Sequence, residues 1–107
     1  MRCLALLLLL TSCADVCKRG ETLSRTFPER NAACYAPDTL PFPAFDGKAC
    51  TSSMTACTPT DRASLNAYFD CLEKLPACTK ATRPEFNEKV LACAASLGQL
   101  TDGCFQP

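Results

Sequence analysis

The sequence predicts a small all-α domain stapled by disulfides. Three observations carry this expectation. Ten cysteines fall within 107 residues, two proline-started stretches place apolar residues at helical spacing, and no run alternates apolar and polar as a half-buried strand does. The length allows one domain with a modest core, a size at which crosslinks matter most. Formal net charge is zero, which gives neither the basic face of a nucleic-acid binder nor a polybasic membrane patch.

The first element is a leader. Arg2 supplies a positive start and Cys3 to Leu10 an apolar run, followed by the small residues Thr11 and Ser12. This is the order of a secretory signal. The run is too short for a membrane span, which needs about 20 apolar residues. Residues 1–12 are therefore expected to be a signal peptide. Leu10-Thr11-Ser12-Cys13 resembles a bacterial lipobox. The resemblance implies that Cys13 carries a diacylglyceryl thioether, becomes the first residue after cleavage and is acylated on its amine. Two or more chains anchor stably where one does not. A second reading is ordinary cleavage after Ala14, with Ser12 and Ala14 as a small-x-small site, giving a soluble secreted protein. The short leader, and the absence of any other task for Cys13, favour the lipid. Ala14 is not the aspartate associated with inner-membrane retention, so the outer membrane is expected in a Gram-negative host.

Eight cysteines remain once Cys3 and Cys13 are set aside, an even number in an exported chain and hence a disulfide framework. The expected fold has a lipidated N-terminus and irregular tether over 13–27 and a disulfide-rich helical domain over 28–107. Ala14 to Arg25 is polar and charged, with Gly20 in its middle, and reads as a tether or a short helix. Pro28 to Cys34 suits one or two helical turns, proline being favoured at the first helical position. Tyr35 to Asp46 holds Pro37, Pro41 and Pro43 and reads as a loop, with Phe42 and Phe45 covering the edge of a small core. Asp46 caps a short helix over about 47–56.

Two longer helices come next. Thr58-Pro59-Thr60-Asp61 combines a capping hydroxyl, proline at the first position and an acid three residues after the cap. Leu65, Phe69 and Leu72 recur along one face, Asp70 and Lys74 form an i,i+4 pair, and Pro76 ends the helix, which spans about 59–75. Thr82-Arg83-Pro84-Glu85 repeats the start, Phe86, Val90, Cys93, Ala94 and Leu97 make the stripe, and Gly98 is a stop. This second helix spans about 83–97. The short connection makes the two an antiparallel hairpin.

Helix geometry prunes the pairings. Cys57 and Cys71 lie about 21 Å apart on one helix, beyond the roughly 7 Å a disulfide allows. Depth measured from the hairpin loop puts Cys50 level with Cys93 and puts Cys57 with Cys104 at the far end. Cys71 reaches Cys78 around Pro76, and Cys17 and Cys34 are left for each other. The expected set is Cys17–Cys34, Cys50–Cys93, Cys57–Cys104 and Cys71–Cys78.

Chemistry-bearing patterns are few. There is no histidine, so Ser-His and Cys-His pairs and histidine metal sites are ruled out. No Cys-x-x-Cys pair suggests zinc, and no glycine-rich phosphate loop occurs. Glu85 and Glu88 sit in a helix's first turns, where the dipole favours acids. Neither a catalytic site, a cofactor nor a metal is expected. Cys50-Thr-Ser-Ser-Met-Thr-Ala-Cys57, Tyr68-Phe-Asp-Cys71-Leu-Glu-Lys-Leu-Pro-Ala-Cys78, Leu91-Ala-Cys93 and Leu97 to Cys104, together with the leader, resemble small cysteine-rich lipoproteins of myxobacterial type. That resemblance implies location and framework and brings no activity with it. The expectation is a non-catalytic envelope lipoprotein, held to the membrane through its lipid and having a structural role or an unidentified envelope protein partner. The alternative is a secreted soluble carrier of a small hydrophobic ligand. Plant lipid-transfer proteins are also helical with eight cysteines, but their adjacent Cys-Cys and their Cys-x-Cys are missing here.

Overall fold

The computed structural model describes residues 16–38 and 44–104. Within them the chain is helical, with no strand. Helix α1 is Val16–Arg30, α2 Ala32–Tyr35, α3 Gly47–Met54, α4 Pro59–Lys74 and α5 Arg83–Cys93, and a 3-10 turn, Ala94–Leu97, continues α5. Cys13 and the leader lie outside the described residues, as does Phe42.

From Val16 onward α1 corrects the expected tether over 13–27 and is longer than the short helix that is the alternative. Val16, Leu23 and Phe27 are buried, and with Gly20 they form an i, i+4, i+7, i+11 stripe. Gly20 is the contact point: a Cβ there would lie 3.1 Å from Phe45 Cε1 and 3.6 Å from Phe69 Cζ. The apolar period is real, but glycine occupies one of its positions, so the segment reads as polar. Pro28 lies inside α1 rather than opening a new helix. It falls in the last turn, where its missing N–H withdraws a helical donor from the Ser24 carbonyl alone. The boundary expected between 27 and 28 thus cuts through a packed helix.

α3 and α4 start where their local signals place them. Asp46 caps α3, its side chain accepting from the Lys48 and Ala49 N–H groups. Thr58 and Asp61 form a reciprocal capping box at the start of α4. α3 ends at Met54, because Thr55, Ala56 and Cys57 donate three residues back, tightening the chain into a turn. α5 ends at Cys93 rather than continuing regularly to Leu97. Thr82 does not cap it, since its hydroxyl is engaged with Thr79 instead.

The core gathers Val16, Leu23 and Phe27 from α1, Leu65, Phe69 and Leu72 from α4, Phe86 from α5, and Tyr35. Phe27 and Phe86 stack with ring centroids 5.8 Å apart. α1 packs on both α3 and α4. The expected hairpin is offset: α4 is met chiefly by the 3-10 turn, more than by α5. From Cys93 onward the chain runs back along α4, with Cys93 joined to Cys71, the Thr101 N–H donating to Asp61 Oδ1 at 3.1 Å, and Cys104 joined to Cys57.

Candidate functional site

Four bridges are the chemical framework of the molecule: Cys17–Cys50, Cys34–Cys78, Cys57–Cys104 and Cys71–Cys93. Their Cα separations of 5.8, 5.1, 4.8 and 5.5 Å all lie within disulfide reach. Among the described residues no cysteine is free. Cys57–Cys104 is the pair that helix depth also selects.

The other three expected pairs are corrected. Cys17–Cys34 fails by the argument that excludes Cys57–Cys71: α1 carries the chain about 20 Å from Cys17 to Arg30, and Cys34 follows in α2 beyond that far end. Cys50–Cys93 fails because α3 lies against α1, where Cys17 takes Cys50, and not beside α5. Cys71–Cys78 fails because residues 75–82 lead away from α4. Cys78 then reaches Cys34 at the α1–α2 corner, and α5 starts far enough out for its last residue, Cys93, to return level with Cys71.

Asn31 holds that corner. It is fully buried, its Nδ2 donates to the Phe27 carbonyl and its Oδ1 accepts from the Cys78 N–H, both at 2.9 Å. It fixes the backbone of one half-cystine beside the other. Next to it the Tyr35 hydroxyl donates to Asn87 Oδ1 at 2.9 Å, and the Arg83 guanidinium lies 4.4 Å from the centre of the Tyr35 ring, within cation–π range. A shallow depression of about 220 Å³ opens here, lined by Pro76, Ala77, Thr82, Glu85, Phe86 and Lys89. Small-molecule sites usually occupy about 300–1,000 Å³, so this one falls short of a ligand chamber. Glu85 lies on its rim; Glu88 is exposed on α5.

At the opposite end of α4, Asp61 is buried. Its Oδ2 accepts from the Thr58 N–H at 2.8 Å and its Oδ1 from Thr101. The Thr58 N–H chiefly, with Thr101 adding to it against the effect of burial, holds the Asp61 carboxyl below its ordinary value. Ligand atoms of Cys57, Asp61 and Cys104 lie within 4.8 Å of one another. The two sulfurs are bonded to each other and both carboxylate oxygens are engaged, so the bridged set has no thiolate to give a metal. Burial raises the Tyr68 phenol above its ordinary value.

Two arginines of α1 bind α4. Arg19 donates to Asn66 Oδ1 at 2.9 Å, to Asp70 and to Glu73 Oε1 at 3.0 Å. Arg30 donates to the carbonyls of Leu72, Glu73 and Leu75 at the C-terminal end of α4, where the dipole favours a cation. Asp70 therefore pairs across helices with Arg19 and not along its own with Lys74. The sequence signal for Asn31, Arg19 and Arg30 exists only once α1 is recognised as a packed helix.

Compared with family models, curated proteins and solved structures, the chain matches none. Among the described residues no helix is long and apolar enough to cross a membrane. Four disulfides fit an oxidising, exported environment.

Proposed function

We propose that the protein is a non-catalytic lipoprotein of the bacterial envelope, held at the membrane by Cys13 and acting as a structural or interaction module. The observation that carries this reading is the juxtaposition of Leu10-Thr11-Ser12-Cys13 with a domain whose eight cysteines are all bridged. Those eight satisfy one another, so the framework of the domain makes no demand on Cys13. Bridges persist outside the cytosol, and a lipid on Cys13 would keep the exported product at a membrane surface. The outer membrane is the expected site in a Gram-negative host, with Ala14 next to the anchor.

The test is metabolic palmitate labelling with detergent partitioning, for wild type and Cys13→Ser. Label and detergent-phase protein that both disappear in the mutant support the reading. Wild-type protein that is soluble, unlabelled and cleaved after Ala14 overturns it. If such protein also carries a co-purifying hydrophobic ligand, it is a secreted carrier.

A further inference from the structure

We infer that the domain stands directly on the membrane, with the Cys17–Cys50 end of α1 against the lipid headgroups and the Cys34–Cys78 end facing the aqueous compartment. This rests on the lipid-anchor reading of Cys13. Its physical ground is the distance between the anchor and the first packed residue. Val16 is only 2 % exposed and begins α1. Three residues of chain span at most about 11 Å, so Val16 cannot stand further than that from Cys13. A leaflet's headgroup layer is about 5–7 Å thick, the difference between a 40–45 Å bilayer and its roughly 30 Å hydrocarbon core shared over two leaflets. The first turn of α1 therefore sits at the lipid surface, with only Ala14 and Asp15 between Val16 and the anchor.

α1 cannot swing on its own. Cys17 is bonded to Cys50 of α3, and Arg19 and Arg30 tie the helix to α4. Nor does α1 lie flat in the interface. Its outward residues are Glu21, Thr22, Arg25, Thr26 and Glu29, and an interfacial helix needs an apolar face to bury. An upright seat on the helix start is the arrangement left. Lys18, Glu21, Lys48 and Ala49 are exposed at that end, a mixture suited to headgroups rather than to hydrocarbon. Asn31 lies about 21 Å further along α1 from Cys17. The Tyr35–Arg83 pair and the depression beside Phe86 are then carried outward, where a soluble partner can reach them.

The lysines provide the test without any substitution in the domain. Lys18 and Lys48 flank the Cys17–Cys50 bridge, and Lys80 and Lys89 belong to the other end. The full lipoprotein in vesicles of phosphatidylethanolamine and phosphatidylglycerol is treated with a water-soluble amine-reactive ester, and each lysine is followed by mass spectrometry against the Cys13→Ser protein in solution. Labelling of Lys18 and Lys48 should fall several-fold, with Lys80 and Lys89 unchanged. A flexible Gly-Ser insert of about 20 residues after Asp15, with a reach of about 25 Å, should restore both. Even labelling of all four lysines, or protection of Lys80 and Lys89, overturns the orientation. The N-terminal peptide of the same sample separates the two ideas. An acylated Cys13 with even labelling sinks the orientation alone, whereas an unacylated one sinks the anchor and the orientation with it.

Discussion

Asn31 shows how much one buried polar side chain can carry. Both ends of its amide are used, one on Phe27 and one on the Cys78 backbone. Asn31→Ala leaves the Cys78 N–H without its acceptor inside the protein, and an unsatisfied buried group costs about 1–3 kcal/mol. Urea unfolding should show a loss of that size. Asn31→Asp keeps the acceptor for Cys78 but loses the donor to Phe27 and brings in a charge. It should be worse than alanine at neutral pH and recover as the medium is acidified. Asp61 behaves in the opposite sense. Its carboxyl is held below the ordinary value, so its contribution to stability is fully present above about pH 4 and is lost as pH falls through the folded value. Asp61→Asn should lower stability at neutral pH, and the gap between mutant and wild type should close as pH falls through the folded value. A gap that stayed constant with pH would show that the Thr58 and Thr101 bonds do not depend on the charge.

α1 is the element on which sequence and structure part company. α3 and α4 announce themselves by Asp46 and by the Thr58–Asp61 box, which act within a few residues and so are legible locally. The residues inside α1 give a conflicting local signal. Its stripe contains Gly20 and its interior contains Pro28, both of which argue against a helix when taken alone. The forces that stabilise it are tertiary: Phe45 and Phe69 against Gly20, Phe86 against Phe27, and two arginines on α4. The three bridges that differ from expectation share this one cause, since both Cys17 and Cys34 take their partners from the ends of α1. Gly20→Leu should therefore be costly, about 1–3 kcal/mol by overpacking, because the side chain drives into Phe45 and Phe69. Pairing it with Phe45→Ala should restore part of the loss in a denaturant titration. If Gly20→Leu stabilised the domain through its better helix propensity, α1 would not pack as closely as described.

The bridges make the domain one cooperative body. Their sequence separations of 33, 44, 47 and 22 residues interlock, so that cutting any one loop leaves its residues held by another. Loop-closure entropy varies only slowly with length, so no single bridge dominates. Replacing both cysteines of any pair by alanine should cost about 2–5 kcal/mol. The sharper experiment concerns residues 16–27, which fall in the stretch that reads as a tether or a short helix in sequence and which form most of α1. A true tether could be deleted without effect on the rest. Deletion of the helix removes Val16, Leu23 and Phe27 from the core, leaves Cys50 without Cys17 and strips Arg19 from α4. The shortened chain should show one thiol reactive under native conditions, a reduced helical circular dichroism signal and a broad, early thermal transition. A product with that one thiol but an undiminished, sharp transition would mean that α4, α5 and the C-terminal return form the stable unit, with α1 merely docked upon it. The stacking of Phe27 on Phe86 and the Nδ2 bond of Asn31 to the Phe27 carbonyl argue against this, since the deletion removes Phe27 from both.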